Sequence, residues 1–201
     1  MLALMLPLRD AELVQISEAA LADAAHRAGS ALTCHPGCTE CCHGAFSINA
    51  LDAARLRAGL TALQKSTPAL AEAVVSRAKQ WVADYAAEFP GDAATGILGS
   101  SEAEQEAFED FANNPACPAL DPATGRCDVY AWRPMTCRVF GPPVRNEGDA
   151  LGHCELCFQG APTELVVASE MTVPHALEAE LLEELNDERE TVVAFVLALN
   201  G

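Results

Sequence analysis

The chain has 201 residues, half of them apolar and a fifth charged, with a mean hydropathy of +0.11, which fits one globular domain, 1–201, with a buried core. Twelve Lys and Arg against 29 Asp and Glu leave a net charge of −17, which argues against a protein that tracks nucleic-acid phosphates or an anionic membrane surface. Nine cysteines exceed ordinary usage, yet a chain this long needs no disulfide staples, and an odd number cannot pair off within one chain. The opening MLALMLPLRD lacks a basic segment and a small-residue cleavage site, and no later run reaches the roughly 18 to 20 apolar residues of a membrane span. The expected location is cytoplasmic, where thiols stay reduced and metal binding becomes the leading account of the cysteines.

In chain order, the spacing of Leu13, Ile16, Ala20, Leu21, Ala24 and Ala28 predicts a first helix over about 11–28, capped by Asp10 and ended by Gly29. Residues 30–46 carry Cys34, Cys38, Cys41 and Cys42 among Pro36, Gly37 and Gly44, a loop composition without periodicity. Asn49 or Ser47 caps a second helix through Leu51, Ala54, Leu56 and Leu60, and Thr67-Pro68 opens a third through Val74, Trp81 and Tyr85. Pro90 to Gly99 reads as a break, after which Ser101 and Glu104 form a capping box before a short acidic helix. From 115 onward, prolines and glycines exclude a long helix; Pro118-Ala119-Leu120 and Cys127 to Tyr130 flank a turn as a small hairpin whose return strand holds Val129 and Tyr130. Pro174 opens a last helix through Leu177, Leu181, Leu185, Val192, Val193, Val196 and Leu199. The fold class is therefore mainly α: an irregular helical domain with Cys-rich metal-binding loops over 34–157, a small β-hairpin, and a helical scaffold over 10–29, 49–113 and 174–199.

Cys34-x3-Cys38-x2-Cys41-Cys42 packs four thiols into nine residues, Cys117, Cys127 and Cys137 recur at ten-residue intervals, and Cys154-x2-Cys157 completes the set. A buried free Cys is an ordinary small hydrophobe, which accounts for any one of them alone. All nine fall instead in two Pro/Gly-rich segments, where short gaps let a loop wrap an ion so that its sulfurs point inward at about 2.3 Å. Nine thiols exceed one tetrahedral site, so they serve two centres or one polynuclear one, with a 4Fe-4S cluster and Zn2+ as the alternatives. His35, His43 and His153 are alternative ligands. Arg133 and Arg138 fall in the same segment, where a guanidinium donating to thiolate or cluster sulfur would tune the centre; an ion pair of Arg133 with Asp121 or Asp128 is the competing reading. The first three cysteines also have the spacing of the radical SAM cluster loop. Glu40 stands where that family places an aromatic, and a mostly helical chain lacks its repeated strand-helix units.

Together with Cys117-Pro118-Ala119-Leu120, Cys127-Asp128-Val129-Tyr130 and Arg133-Pro134-x2-Cys137-Arg138, the first cysteine group resembles the CxxCxxCC family of zinc- or iron-chelating proteins over about 34–140, with a first gap of three residues where the family name has two. The resemblance implies a metal site built from Cys34, Cys38, Cys41, Cys42, Cys117, Cys127 and Cys137, with Cys154 and Cys157 beyond the motif. A flagellin lysine methylase belongs to the same broad family, which implies methyl transfer to lysine as one possible activity class. Three functions follow as expectations: a metal-binding protein with an iron-sulfur or zinc site in redox chemistry or metal handling; an iron-sulfur-dependent lysine methyltransferase-like enzyme; and a zinc-stabilised interaction module that contacts its partner through Val192, Val193, Phe195 and Val196. The expected partner is the metal ion or cluster, with no nucleic acid and no membrane.

Overall fold

The computed structural model describes residues 6–35, 37–145 and 151–199; the opening segment through Met5 and Pro36 lie outside them. Among these residues are eight α-helices, α1 (Asp10–Ala28), α2 (Ala50–Ser66), α3 (Pro68–Tyr85), α4 (Glu102–Glu109), α5 (Met135–Val139), α6 (Thr163–Ala168), α7 (His175–Leu185) and α8 (Val193–Leu199). Three two-stranded antiparallel sheets accompany them: β1 (Gly91–Asp92) with β2 (Ile97–Leu98), β3 (Leu120–Asp121) with β4 (Arg126–Cys127), and β5 (Val144–Arg145) with β6 (Leu151–Gly152). The mainly helical expectation holds, with three hairpins where the sequence reading had one. No helix among the described residues is long and apolar enough to cross a membrane.

The chain packs as two compact units. The first draws on Thr39–Pro134 and Leu185–Gly201. Asn49 caps α2 by accepting from the Asp52 N–H at 3.0 Å, which satisfies one of the orphan donors at a helix start. Leu56, Leu60 and Leu63 of α2 and Ala71, Val74 and Ala78 of α3 then bury against Val193, Val196 and Leu197 of α8. Helix α8 is buried on nearly every side, which explains its apolar sequence and makes Val192, Val193, Phe195 and Val196 core rather than contact face. A second aromatic layer joins Phe195 to Phe89 at 4.4 Å between ring centroids and Phe111 to Trp81 at 5.9 Å.

Gly59 sits where α2 meets Trp132, and an added Cβ would lie 2.6 Å from the indole Cδ2. Alanine would gain up to about 1 kcal/mol of helix propensity, but overpacking a rigid ring costs about 1 to 3 kcal/mol. Gly59→Ala is therefore expected to lower stability by about 1 kcal/mol, seen as a fall in Tm of a few degrees; an unchanged or raised Tm would show that the ring yields.

The sequence Asp-x-Ala-Thr-Gly occurs twice, at 92–96 and 121–125, and builds the same turn each time. Asp92 accepts from the Ala94 N–H at 2.9 Å and from Thr95 Oγ1 at 2.8 Å; Asp121 accepts from Ala123 at 3.0 Å and Thr124 at 2.6 Å. Gly96 and Gly125 follow at φ +71° and +67°, the left-handed conformation that closes each turn. The expected break over 90–99 is thus a hairpin. In the second hairpin the return strand is Arg126–Cys127, not Val129 and Tyr130: Val129 turns into the core and Tyr130–Trp132 forms a 3-10 turn.

The second unit draws on Pro7–Cys38 and Met135–Glu184. Helix α1 begins at Asp10 itself, behind Arg9 and without a side-chain cap, and ends at Gly29 at φ +55°. It buries Leu13, Ala24 and Ala28 as expected, but Ser17 is buried where Ile16 was expected and Ile16 is 41% exposed. Its neighbours are α5 and the six-residue α6, which the sequence reading missed. Helix α7 buries Leu177 and Leu181, and ends where Asn186 turns left-handed at φ +46°. The expected single helix over 174–199 is therefore two helices, α7 and α8.

Candidate metal centre

All nine cysteines are free thiols. Cys34, Cys38, Cys137, Cys154 and Cys157 belong to the second unit, and Cys41, Cys42, Cys117 and Cys127 to the first. Within these Pro/Gly-rich segments, Cys137 lies in the five-residue α5, and Cys41 and Cys42 lie within the 3-10 turn Glu40–Cys42.

In the second unit, the Sγ atoms of Cys34, Cys154 and Cys157 all lie within 4.8 Å of one another, with Cys34 and Cys157 at 3.6 Å. Backbone hydrogen bonds fix the three. The Cys154 N–H donates to Gly141 O at 3.2 Å, the Cys157 N–H to Cys154 O at 2.9 Å in a tight turn, and the Phe158 N–H to Ala31 O at 2.7 Å, next to the loop that carries Cys34. Phe158 is left-handed at φ +57°, a conformation costly for a bulky residue and held here by its buried ring among Ala28, Leu32, Ala161 and Val166. Gly141, at φ +122°, lets the backbone approach Cys34: a Cβ there would stand 3.0 Å from the sulfur. Cys154 and Cys157 are buried, and Cys34 is the exposed member.

The three thiols differ in acidity. Burial and a hydrogen bond to Cys157 push Cys34 up to about 12, and burial also raises Cys154. At Cys157 burial acts upward too, but side-chain and backbone hydrogen bonding with Thr33 and Cys34 outweighs it and holds the thiol below its ordinary value. Thr33 Oγ1 stands 3.6 Å from that sulfur and donates to Leu156 O at 3.0 Å. Cys157 is thus the readiest thiolate of the group.

In the first unit, the Cys117 N–H donates to Cys42 O at 2.7 Å beside the bridge of His43 with Ala116, which ties the first cysteine loop to the β3–β4 hairpin. Cys117 and Cys127 rest on the core built by α2, α3 and α8. A hydrogen bond with Cys42 and burial raise Cys41, while Arg133 acts in the opposite direction. Burial raises Cys127, again opposed by Arg133, and pushes Cys117 up to about 12.

The native state therefore holds the Cys117 proton more tightly than the unfolded chain. The resulting stability is full below pH 9 and lost as pH rises from 9 toward 12. Metal-free protein is expected to show a falling Tm over that range, less steeply in Cys117→Ala; equal slopes would remove Cys117 from this account.

Arg133 lies over the Tyr130 ring at 3.8 Å from its centroid and donates to Tyr130 O at 3.0 Å, within electrostatic reach of Cys41 and Cys127. Asp128, weighed as an ion-pair partner of Arg133, accepts from Arg77 at 2.6 Å. Arg138 is 1% exposed and donates to Glu18 of α1 at 2.6 Å. Among the histidines, Nδ1 of His153 lies 3.0 Å from Cys154 O and Nδ1 of His43 3.4 Å from Asn114 O.

A family model described as a putative zinc- or iron-chelating domain, CxxCxxCC, matches residues 33–157. The chain belongs to the CxxCxxCC family. The match runs through Cys154 and Cys157, so the pair that seemed to lie beyond the family motif falls inside the family domain. No curated protein and no solved structure matches the chain. What the CxxCxxCC match adds to the geometry is a chemical class for the thiols: chelation of zinc or iron.

Proposed function

We propose that this CxxCxxCC protein is a thiolate metal-binding protein that works in metal handling, with Cys34, Cys154 and Cys157 as its best-formed ligand set. The observation that carries this reading is the convergence of three sulfurs within 4.8 Å, two of them buried. Thiols that close, with no disulfide between them, suit a soft metal ion, and a reducing cytoplasm would keep them available. The ion would neutralise thiolates that burial otherwise disfavours, and its binding energy would become folding energy.

Cys38 and Cys137, in the same unit, are proposed as supporting thiols, and Cys41, Cys42, Cys117 and Cys127 as a further set that could hold zinc or an iron-sulfur cluster. Arg133 would supply positive charge to that set. Arg138 would act indirectly, by bracing α5, which carries Cys137, against Glu18 of α1.

Removal of metal tests the reading. Treatment with a strong chelator under reducing conditions is expected to lower Tm by several degrees and to make the buried thiols react faster with a thiol reagent. Added zinc or iron should restore both. Identical melting and thiol reactivity before and after chelation would contradict it.

A further inference from the structure

Resting on that chelating reading, we infer that Cys34, Cys154 and Cys157 hold a single soft divalent ion, such as zinc, at a three-thiolate site whose fourth position accepts an exchangeable ligand. The sulfur separations carry the distinction between one ion and a cluster. Thiolates sharing one tetrahedral ion at a bond length of about 2.3 Å stand about 3.8 Å apart. Thiolates on an iron-sulfur cubane each bind a separate iron and point away from its centre, which sets them roughly 6 Å apart. The trio lies within 4.8 Å throughout, and Cys34 and Cys157 are 3.6 Å apart, close to the edge of a single-ion tetrahedron.

The surroundings fit the same conclusion. Cys154-x2-Cys157 makes the tight turn that brings two sulfurs to one side, and the strained Phe158 that follows locks it. Gly141 leaves no room for a side chain beside Cys34. Among the described residues no fourth Cys, His, Asp or Glu ligand atom joins the three within that span. The buried walls are apolar, from Ala28, Leu32 and Phe158, whereas Cys34 is exposed, so the fourth position faces solvent on the Cys34 side. With an ion held by these three thiols, that position would be open to a small ligand from solvent, such as a free thiol. A site of this kind can receive and pass on an ion without first losing one of its own ligands.

The test is a Co2+ titration of the full, reduced chain, free of other metals and read by visible and near-ultraviolet absorption. The wild type is expected to give the ligand-field bands of four-coordinate cobalt with sulfur-to-metal charge transfer, shifting when a small thiol is added. Cys154→Ser should lose one equivalent of that signal and bind it more than about a hundredfold more weakly. Thr33→Val keeps all three thiols and should retain stoichiometry while moving the charge-transfer band, which guards against a Cys154→Ser variant that fails to fold. Cobalt spectra identical in wild type and a folded Cys154→Ser overturn the site. A band insensitive to added thiol overturns the exchangeable position. An iron- and sulfide-containing chromophore lost in Cys154→Ser overturns the single ion but keeps the chelating reading. Failure to bind cobalt, zinc or iron overturns both.

Discussion

Replacing Cys157 with Ser is expected to cost one equivalent of bound metal and, with it, a large part of the stability of the second unit. Cys157 is the thiol held most readily as thiolate, and its sulfur sits 3.6 Å from both Cys34 Sγ and Thr33 Oγ1. Serine keeps the size but offers a hard, poorly ionised oxygen to a soft ion, and it takes from Cys34 the acceptor for its proton. The loss reaches beyond one bond. An ion held by three thiolates would link the Cys34 loop to the Cys154–Phe158 turn, so its departure would remove binding energy that otherwise counts toward folding. Metal analysis after dialysis should show one equivalent fewer than wild type, and the Tm of the variant should respond less to chelator. Equal metal content, with an equal chelator-induced drop in Tm, would remove Cys157 from the ligand set.

The second large effect lies in the first unit. Phe195→Ala is expected to destabilise by about 3 to 5 kcal/mol, the usual range for deleting a buried aromatic side chain. Phe195 is 1% exposed, packs at a tilt on Phe89 with 4.4 Å between ring centroids, and lies against Gly96, where a Cβ would stand 2.7 Å from its Cγ. The cavity would open in α8, which is packed on α2 and α3 and has little freedom to collapse. Urea unfolding should show a much lower midpoint at nearly the same slope; a loss under about 1 kcal/mol would mean that the aromatic layer repacks.

The features that local chemistry decides were readable in the sequence. Ser101 and Glu104 form the expected capping box, and Asn49 caps α2, because each interaction spans only three residues. The Asp-x-Ala-Thr-Gly turn is equally local, but the strands beside both copies are two residues long and carry no periodicity, so the first copy reads as a break and the second as a hairpin with its return strand set too far along. Placement of the α1 stripe was not local. Ser17 is buried in place of Ile16 because its hydroxyl donates to Leu13 O at 2.9 Å and satisfies itself within the helix, while the packing of α1 on α5 and α6 selects the face. The break between α7 and α8 was marked only by Asn186, a weaker stop than glycine.

The cysteines show the same division. Their number, clustering and family motif were legible, whereas spacing left their grouping open between two centres and one polynuclear one. The fold assigns Cys34 and Cys38 to one compact unit and Cys41 and Cys42 to the other, and brings Cys34 to Cys154 and Cys157 across more than a hundred residues. That pairing depends on the Phe158 to Ala31 and Cys154 to Gly141 backbone bonds, which no local pattern encodes.

The claim that this CxxCxxCC protein carries thiolate-bound metal is tested most directly by metal and acid-labile sulfide analysis of protein purified without air. The account predicts at least one zinc or iron per chain that survives gel filtration, with an ion free of sulfide at the Cys34, Cys154 and Cys157 site. Protein that emerges without metal, takes up neither zinc nor iron, and shows all nine thiols equally reactive whether or not either ion is added would contradict it.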